Sequence, residues 1–384
     1  MTRLPDGRYV DDAPFDPQAS LLEVERKDLD APNWLLVWRK FRTHKLGLIS
    51  GIFLLIAYLL IPFAGFVAPY GPNQRFSEHL FSPPQSIKLF HEGEFIGPFV
   101  YPMTSEANLE TFQWEFKPDT SRPLKLKFFC EGSTYYLAGF IESNRHLFCA
   151  TEEATIFILG SDRLGRDVFS RVSYGAQLSL TVGLIGISVS FVLGIFFGSL
   201  AGYFGGKTDW AINRVIEILR SLPELPLWLA LSAAVPSNWS PVAVFFIISI
   251  ILGILDWPGL ARSVRAKFLS LREEEYVRAA EMMGASSGRV IRKHLLPNFM
   301  SHLIASATLS IPAMILGETA LSFLGLGLRA PAVSWGVMLN DAQNLASIEI
   351  YPWTAIPMLP IVIVVLAFNF LGDGLRDSLD PYQQ

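Results

Sequence analysis

Uncharged apolar stretches alternate with short charged ones along most of this chain. No Asp, Glu, Lys or Arg falls between Lys45 and Arg75, and L-G-L-I-S-G-I-F-L-L-I-A-Y-L-L-I-P-F-A-G-F-V fills that interval. A second clear interval lies between Arg171 and Lys207, and others between Glu224 and Asp256, Lys293 and Glu318, and Glu349 and Asp373. A charge at the centre of a spanning helix costs about 2.5–3.5 kcal/mol, and a span needs ~20 residues. Each interval is therefore read as membrane-crossing helix. The 225–255 run is ambiguous on pattern alone: one long tilted helix, or two helices turning at P-S-N-W-S-P (236–241).

Charge placement decides between these. Arg39, Lys40, Arg42 and Lys45 precede the first span and place the N-terminus in the cytoplasm. The stretch after the second span, with Lys207, Arg214 and Arg220, is then cytoplasmic as well. The loop 262–293 carries Arg262, Arg265, Lys267, Arg272, Arg278, Arg289, Arg292 and Lys293, so two crossings must separate residue 220 from residue 262. The third span is expected to begin near Ala211 and to tolerate Glu217 and Arg220 near its cytoplasmic end. The expected fold is an all-α polytopic membrane protein with six transmembrane helices, both termini inside, and a small β-containing insertion outside. The parts are a tail at 1–46, a first span at 47–70, an insertion at 71–158 and a core at 159–384 that includes the basic loop 262–298.

Composition supports the membrane assignment. The 384 residues are 51% hydrophobic and 17% charged, with a mean hydropathy of +0.36; soluble domains carry about 25% charged residues. A net charge of −4 gives no basic surface for nucleic acid. The first thirty residues are polar and proline-bearing, without the apolar stretch of a cleavable leader.

Several motifs are candidates for chemistry. A-G-Y-F-G-G-K-T (201–208) matches a phosphate loop if Ala stands for its first Gly, but a phosphate loop needs a preceding strand. Here the stretch ends a membrane helix, and the match is read as false. In the insertion, L-K-F-F-C-E-G-S-T-Y-Y-L-A-G-F-I alternates strand formers with turn formers and suggests a small sheet. The only cysteines, Cys130 and Cys149, both lie in this insertion, where an oxidising compartment permits a disulfide; two buried thiols are the other reading. Asp162, Arg166, Asp167 and Arg171 form two acid-first i,i+4 pairs if helical. They read either as an extracytoplasmic docking or gate-supporting elbow or as a helix steadying itself. Glu318, inside an apolar segment, either lines a path or ties a helix pair; flanking Gly317 and Ala320 favour the second. The histidines and cysteines show no metal-ligand spacing, and no catalytic constellation converges. The basic loop reads as a helix from Arg278 to Met283, a stop at Gly284, and a second helix capped by Ser286 or Ser287, with small Ala279 and Ala280 exposed for docking.

E-E-E-Y-V-R-A-A-E-M-M-G-A-S-S-G-R-V-I-R-K-H-L-L-P-N (273–298) resembles the "EAA" coupling loop of ABC importer inner-membrane subunits. Ala279, Ala280, Gly284, Leu296 and Pro297 match, and Arg278 stands where that pattern has Glu. L-G-S-D-R-L-G-R-D-V-F-S-R-V-S-Y-G-A-Q-L-S-L (159–180), G-E-T-A-L-S-F-L-G-L-G-L (317–328), S-W-G (334–336) and F-N-F-L-G-D-G-L-R-D-S-L-D-P (368–381) resemble the C-type partner of the oligopeptide/dipeptide permease group. The resemblance implies a bacterial inner-membrane permease that binds no cofactor itself. Its implied partners are a second permease, two ATPase subunits carrying ATP and Mg, an external substrate-binding protein and membrane lipid. It implies di- or oligopeptide import; nickel complexes, opines or glycosides are alternatives within the superfamily, and ion-coupled secondary transport is a rival outside it.

Overall fold

The computed structural model describes residues 2–3, 9–10, 33–108, 113–137, 139–149, 155–236 and 238–379. Among these, five helical segments are long and apolar enough to cross a membrane: Lys45–Val67, Val168–Phe204, Pro241–Leu271, Ser287–Phe323 and Pro352–Leu379. An amphipathic helix α1 (Asn33–Thr43) precedes the first. The remaining principal helices are α2 (Lys45–Leu60), α3 (Val168–Phe204), α4 (Gly206–Ser221), α5 (Glu224–Ala233), α6 (Pro241–Leu271), α7 (Glu275–Met282), α8 (Leu296–Phe323), α9 (Trp335–Asp341), α10 (Leu345–Ile350) and α11 (Met358–Leu379).

The core pair is α3 against α6, and small residues make it. On α3, Gly186, Ser190, Gly194, Gly198 and Gly202 recur every four residues, along one face. A β-carbon on Gly198 would lie 2.6 Å from the Ala261 carbonyl oxygen, and one on Gly202 2.6 Å from the Phe268 β-carbon. In membranes, backbone approach of this kind substitutes for the hydrophobic drive that lipid removes. The contacts rise in step: Gly186 meets Ser249, Gly194 meets Leu260, Gly202 meets Arg265 and Phe268. The two helices therefore run parallel.

Parallel packing forces the chain to travel back between residues 204 and 241. The sequence led us to expect one continuous span there, from near Ala211. Instead α4 ends at Ser221, Leu222 is extended at φ −94° and ψ 139°, and α5 starts after Pro223. Proline disfavours helical backbone in the residue before it, which is where the break falls. α4 packs Ile216 beside Trp257 and Ala261, so Glu217 and Arg220 belong to this separate helix and not to one continuous with α5. α5 then climbs past Leu252 through Trp228. At ten residues, roughly 15 Å, α5 is too short to cross alone.

Residues 88–149 carry strands. β1 (Lys88–His91), β2 (Glu94–Val100) and β5 (Leu124–Lys125) form one antiparallel sheet in the order β1-β2-β5; β3 (Met103–Asn108) pairs with β4 (Gln113–Pro118), and β6 (Lys127–Leu137) with β7 (Ile141–Cys149). The β6–β7 hairpin sits on the end of the first long segment. The buried His146 ring bridges the carbonyls of Ala68, at 2.5 Å, and Ser133, at 2.8 Å. Tyr135 packs where Gly65 leaves no side chain.

Candidate functional site

One cluster of charge, one buried carboxylate and one exposed helix stand out. The strand-bearing end of the bundle holds Asp162, Arg166, Asp167 and Arg171. Residues 161–167 are not helical: Ser161 and Asp167 form an antiparallel bridge, and Gly165 turns the chain at φ +69°. The expected Asp162–Arg166 pair does form, Nε to Oδ2 at 2.6 Å, but across a turn. The expected Asp167–Arg171 pair does not. Asp167 instead caps α3, accepting from the Ser170 N–H at 2.7 Å and its hydroxyl at 2.6 Å. Burial pushes its carboxyl up to about 7. Arg171, 1% exposed, reaches Asp341 Oδ2 at 3.0 Å and Asp162 Oδ2 at 3.4 Å. Arg166 also donates to Asp341 Oδ2, at 2.7 Å, and Arg163 to Oδ1, at 3.0 Å. Asp341, on α9 and some 170 positions away, is the hub that sequence reasoning missed.

Glu318 lies inside the bundle and is fully buried. Its Oε1 accepts from the hydroxyls of Ser322, at 2.7 Å, and Ser334, at 2.8 Å. Ser334 caps α9 and Ser179 of α3 accepts from the Trp335 N–H, so these groups tie α3, α8 and α9 together. Cys130 and Cys149 are joined as a disulfide within the β6–β7 hairpin.

At the opposite end, α7 projects from the bundle. Val277 and Ala280 are buried beneath it, whereas Arg278 and Ala279 are exposed. Only one of the two alanines is thus presented, contrary to expectation, because successive residues on a helix face ~100° apart. Gly284 ends the helix at φ +84°: the Ala285 N–H bonds to the Ala280 carbonyl and the Gly284 N–H to that of Glu281, a Schellman closure that needs a residue tolerant of positive φ. Beyond the closure, Ser286 precedes the next turn without a side-chain cap. The helix then runs without interruption through a π-helical stretch, Val290–Leu295, and past half-buried Leu296 and exposed Pro297. Met282 and Met283 are 90% and 82% exposed. Arg278 is tied to Glu273 at 2.5 Å, which holds the Glu273 carboxyl below its ordinary range. Tyr203 at the end of α3 donates to Glu281 at 2.6 Å. An Arg265–Asp209 pair clamps α4 to α6 and holds the Asp209 carboxyl low.

The phosphate-loop-like stretch is helix end and turn. Residues 201–204 close α3, Gly205 turns at φ +64°, and Lys207 and Thr208 open α4. Among the described residues, no group of three His, Cys, Asp or Glu side chains is placed to hold a metal ion.

The architecture is a helical membrane bundle that presents a helix–Gly–helix at its basic end. Residues 194–383 match the model of the binding-protein-dependent transport system inner membrane component, and residues 33–84 that of the N-terminal transmembrane domain of oligopeptide transport permease C. The dipeptide transport system permease protein DppC of Bacillus subtilis is 43% identical over 224 residues, 58% of this chain and 68% of that protein. The oligopeptide transport system permease protein OppC of Haemophilus influenzae is 41% identical over 223 residues, 58% of this chain and 69% of that one. A structure of the inward-facing MetNI methionine ABC transporter covers 54% of this chain and 96% of its own at 18% identity and a TM-score of 0.42, too distant to carry inference. The chain belongs to the family of inner-membrane components of binding-protein-dependent transport systems, and is a membrane-embedded permease of an ABC importer. Residues 85–193, most of the strand-bearing insertion among them, lie outside both matched models.

Proposed function

We propose that this chain is the C-type permease of an importer of di- and oligopeptides, moved by separate ATPase subunits that engage α7 and the helix start after Gly284. The carrying observation is the 43% identity over 224 residues to a dipeptide permease. Further support comes from the exposed, small and flexible surface of Ala279, Met282 and Met283, which suits insertion into a groove of another protein. Behind it, Tyr203 joins Glu281 of α7 to the end of α3, and Arg272, between α6 and α7, donates to the Gly202 and Tyr203 carbonyls, so force on α7 passes into α3.

The reading includes six crossings, the third made by α4 and α5 together across the Pro223 break, with both termini in the cytoplasm. The parallel α3–α6 packing and the eight basic residues of 262–293 support it. The insertion then lies outside, where a disulfide persists. The Asp162–Arg166–Arg171–Asp341 lock would support the external gate and the docking of a substrate-binding protein. A second permease completes the pathway, and MgATP binds on the ATPases. No observation favours the ion-coupled rival.

The test is uptake by the complete transporter in proteoliposomes, driven by ATP and supplied with loaded binding protein. Import of a labelled tripeptide supports the reading. Import of a nickel complex, opine or glycoside with no peptide uptake would discard the substrate while keeping the machine.

A further inference from the structure

The cavity at the Leu222–Pro223 break has a volume of about 450 Å³, and Arg220, Glu224, Arg262, Leu227, Trp228 and Leu255 are among the residues that line it. We propose that it is a stretch of the solute pathway that receives both charged ends of a peptide. Arg220 and Arg262 face the carboxylate; Glu224 and nearby Asp256 face the ammonium group. The inference rests on the peptide reading above.

Four observations converge. The charges are unspent: no hydrogen bond or ion pair from a described residue reaches the side chains of Arg220, Glu224 or Arg262. They are nonetheless together. Arg220 and Glu224 both act electrostatically on Asp256, whose Oδ2 accepts from Ser190 at 2.9 Å. The Arg220 guanidinium occupies the space that Gly259 leaves open, 2.8 Å from where a β-carbon would sit. The cluster also lies toward the basic end of the bundle. At ~1.5 Å per residue Asp256 is roughly 22 Å along α6 from Pro241, about three-quarters of the way across a ~30 Å hydrocarbon core, and Arg262 is roughly 31 Å along, at its edge.

Unpaired charge of both signs lining a cavity at this edge faces water or a passing solute, not lipid tails. Charges kept for structure would be expected to neutralise one another, as they do at the other end of the bundle. The lining mixes both signs with an apolar wall from Leu227, Trp228 and Leu255. That mixture matches what free peptides of any sequence share, one ammonium and one carboxylate, without fixing the side chains between them. The Pro223 break makes the site possible, because it leaves this stretch of the third crossing open instead of packed.

The test uses cysteine accessibility, since the chain's two cysteines are bonded to each other and leave no free thiol. Leu222→Cys, with Leu227→Cys as a second position, is placed in the complete transporter and treated with cationic and anionic methanethiosulfonates. The expected result is reaction with both. Adding Arg220→Gln should lower the anionic-to-cationic rate ratio and adding Asp256→Asn should raise it, each on the order of tenfold for one partly screened charge. Free trialanine should slow the reaction, and its N-acetylated, C-amidated form should not. An unreactive thiol at both positions, rate ratios that do not move in opposite directions, or equal protection by capped and free peptide would overturn the proposal. Peptide uptake by the unmodified transporter is read in parallel. Its absence would overturn the peptide reading, whereas uptake with an unprotected thiol would overturn only this inference.

Discussion

The two ends of the helix bundle treat charge in opposite ways. Near the strands, buried Asp162, Arg166 and Arg171 and half-buried Asp341 are paired at 2.6–3.4 Å. At the α4–α5 break, Arg220, Glu224 and Arg262 line open space and pair with nothing described. The first arrangement converts charge into a lock between the start of α3 and α9. The second leaves charge available to something that passes. A buried pair recovers its desolvation cost only through good geometry, so breaking it is expensive, while an exposed unpaired charge contributes little to stability.

The sharpest way to break this contrast is at Arg171. Arg171→Met leaves buried Asp162 and half-buried Asp341 with less compensation and should cost about 3–5 kcal/mol, seen as loss of folded protein recovered from membranes. Recovery at the normal level would mean the lock is not structural. The same cluster predicts a pH effect. Asp167 has its carboxyl raised by burial from an ordinary 3.8 to about 7. An acid raised in the folded state adds stability that is full below the ordinary value and is lost as pH climbs through about 7. The melting midpoint of the detergent-solubilised protein should therefore decline between pH 4 and 8. Asp167→Asn, which keeps a capping side chain, should flatten that slope; an unchanged slope would assign it to other groups. The smallest effect is expected at the other end. Glu224→Gln should shift stability by no more than about 0.5 kcal/mol, and a drop comparable to that of Arg171→Met would erase the distinction between the two clusters.

What the sequence disclosed follows from the range of the forces involved. Charge-free runs located the long spans because membrane solvation acts on each segment alone. The stretch from near Ala211 is expected to be one continuous span, yet S-L-P-E carries the stop: Pro223 restricts Leu222 locally, and counting basic residues says nothing of how the intervening stretch is built. The four-residue recurrence of Gly186, Ser190, Gly194, Gly198 and Gly202 is legible in the sequence as a packing face, whereas its partner on α6 is not. The Asp–Arg spacing at 162–171 suggested helical pairs, but Gly165 turns the chain and the partner of both arginines is Asp341, which no local pattern could supply. Gly284 was readable as a stop, since its role is a backbone conformation; the burial of Ala280 depended on which side α7 presents to the bundle.

The proposed engagement of α7 with an ATPase subunit is tested most directly by crosslinking. Met282, 90% exposed on the projecting helix, is changed to Cys in a chain with no other free thiol, and a maleimide–diazirine reagent is attached in the complete transporter. The account predicts photo-crosslinks from this chain to an ATPase subunit, lost when Ala279→Arg is added to obstruct the groove. A transporter that imports solute with Met282→Cys and yet crosslinks there only to lipid or to the other permease would contradict it.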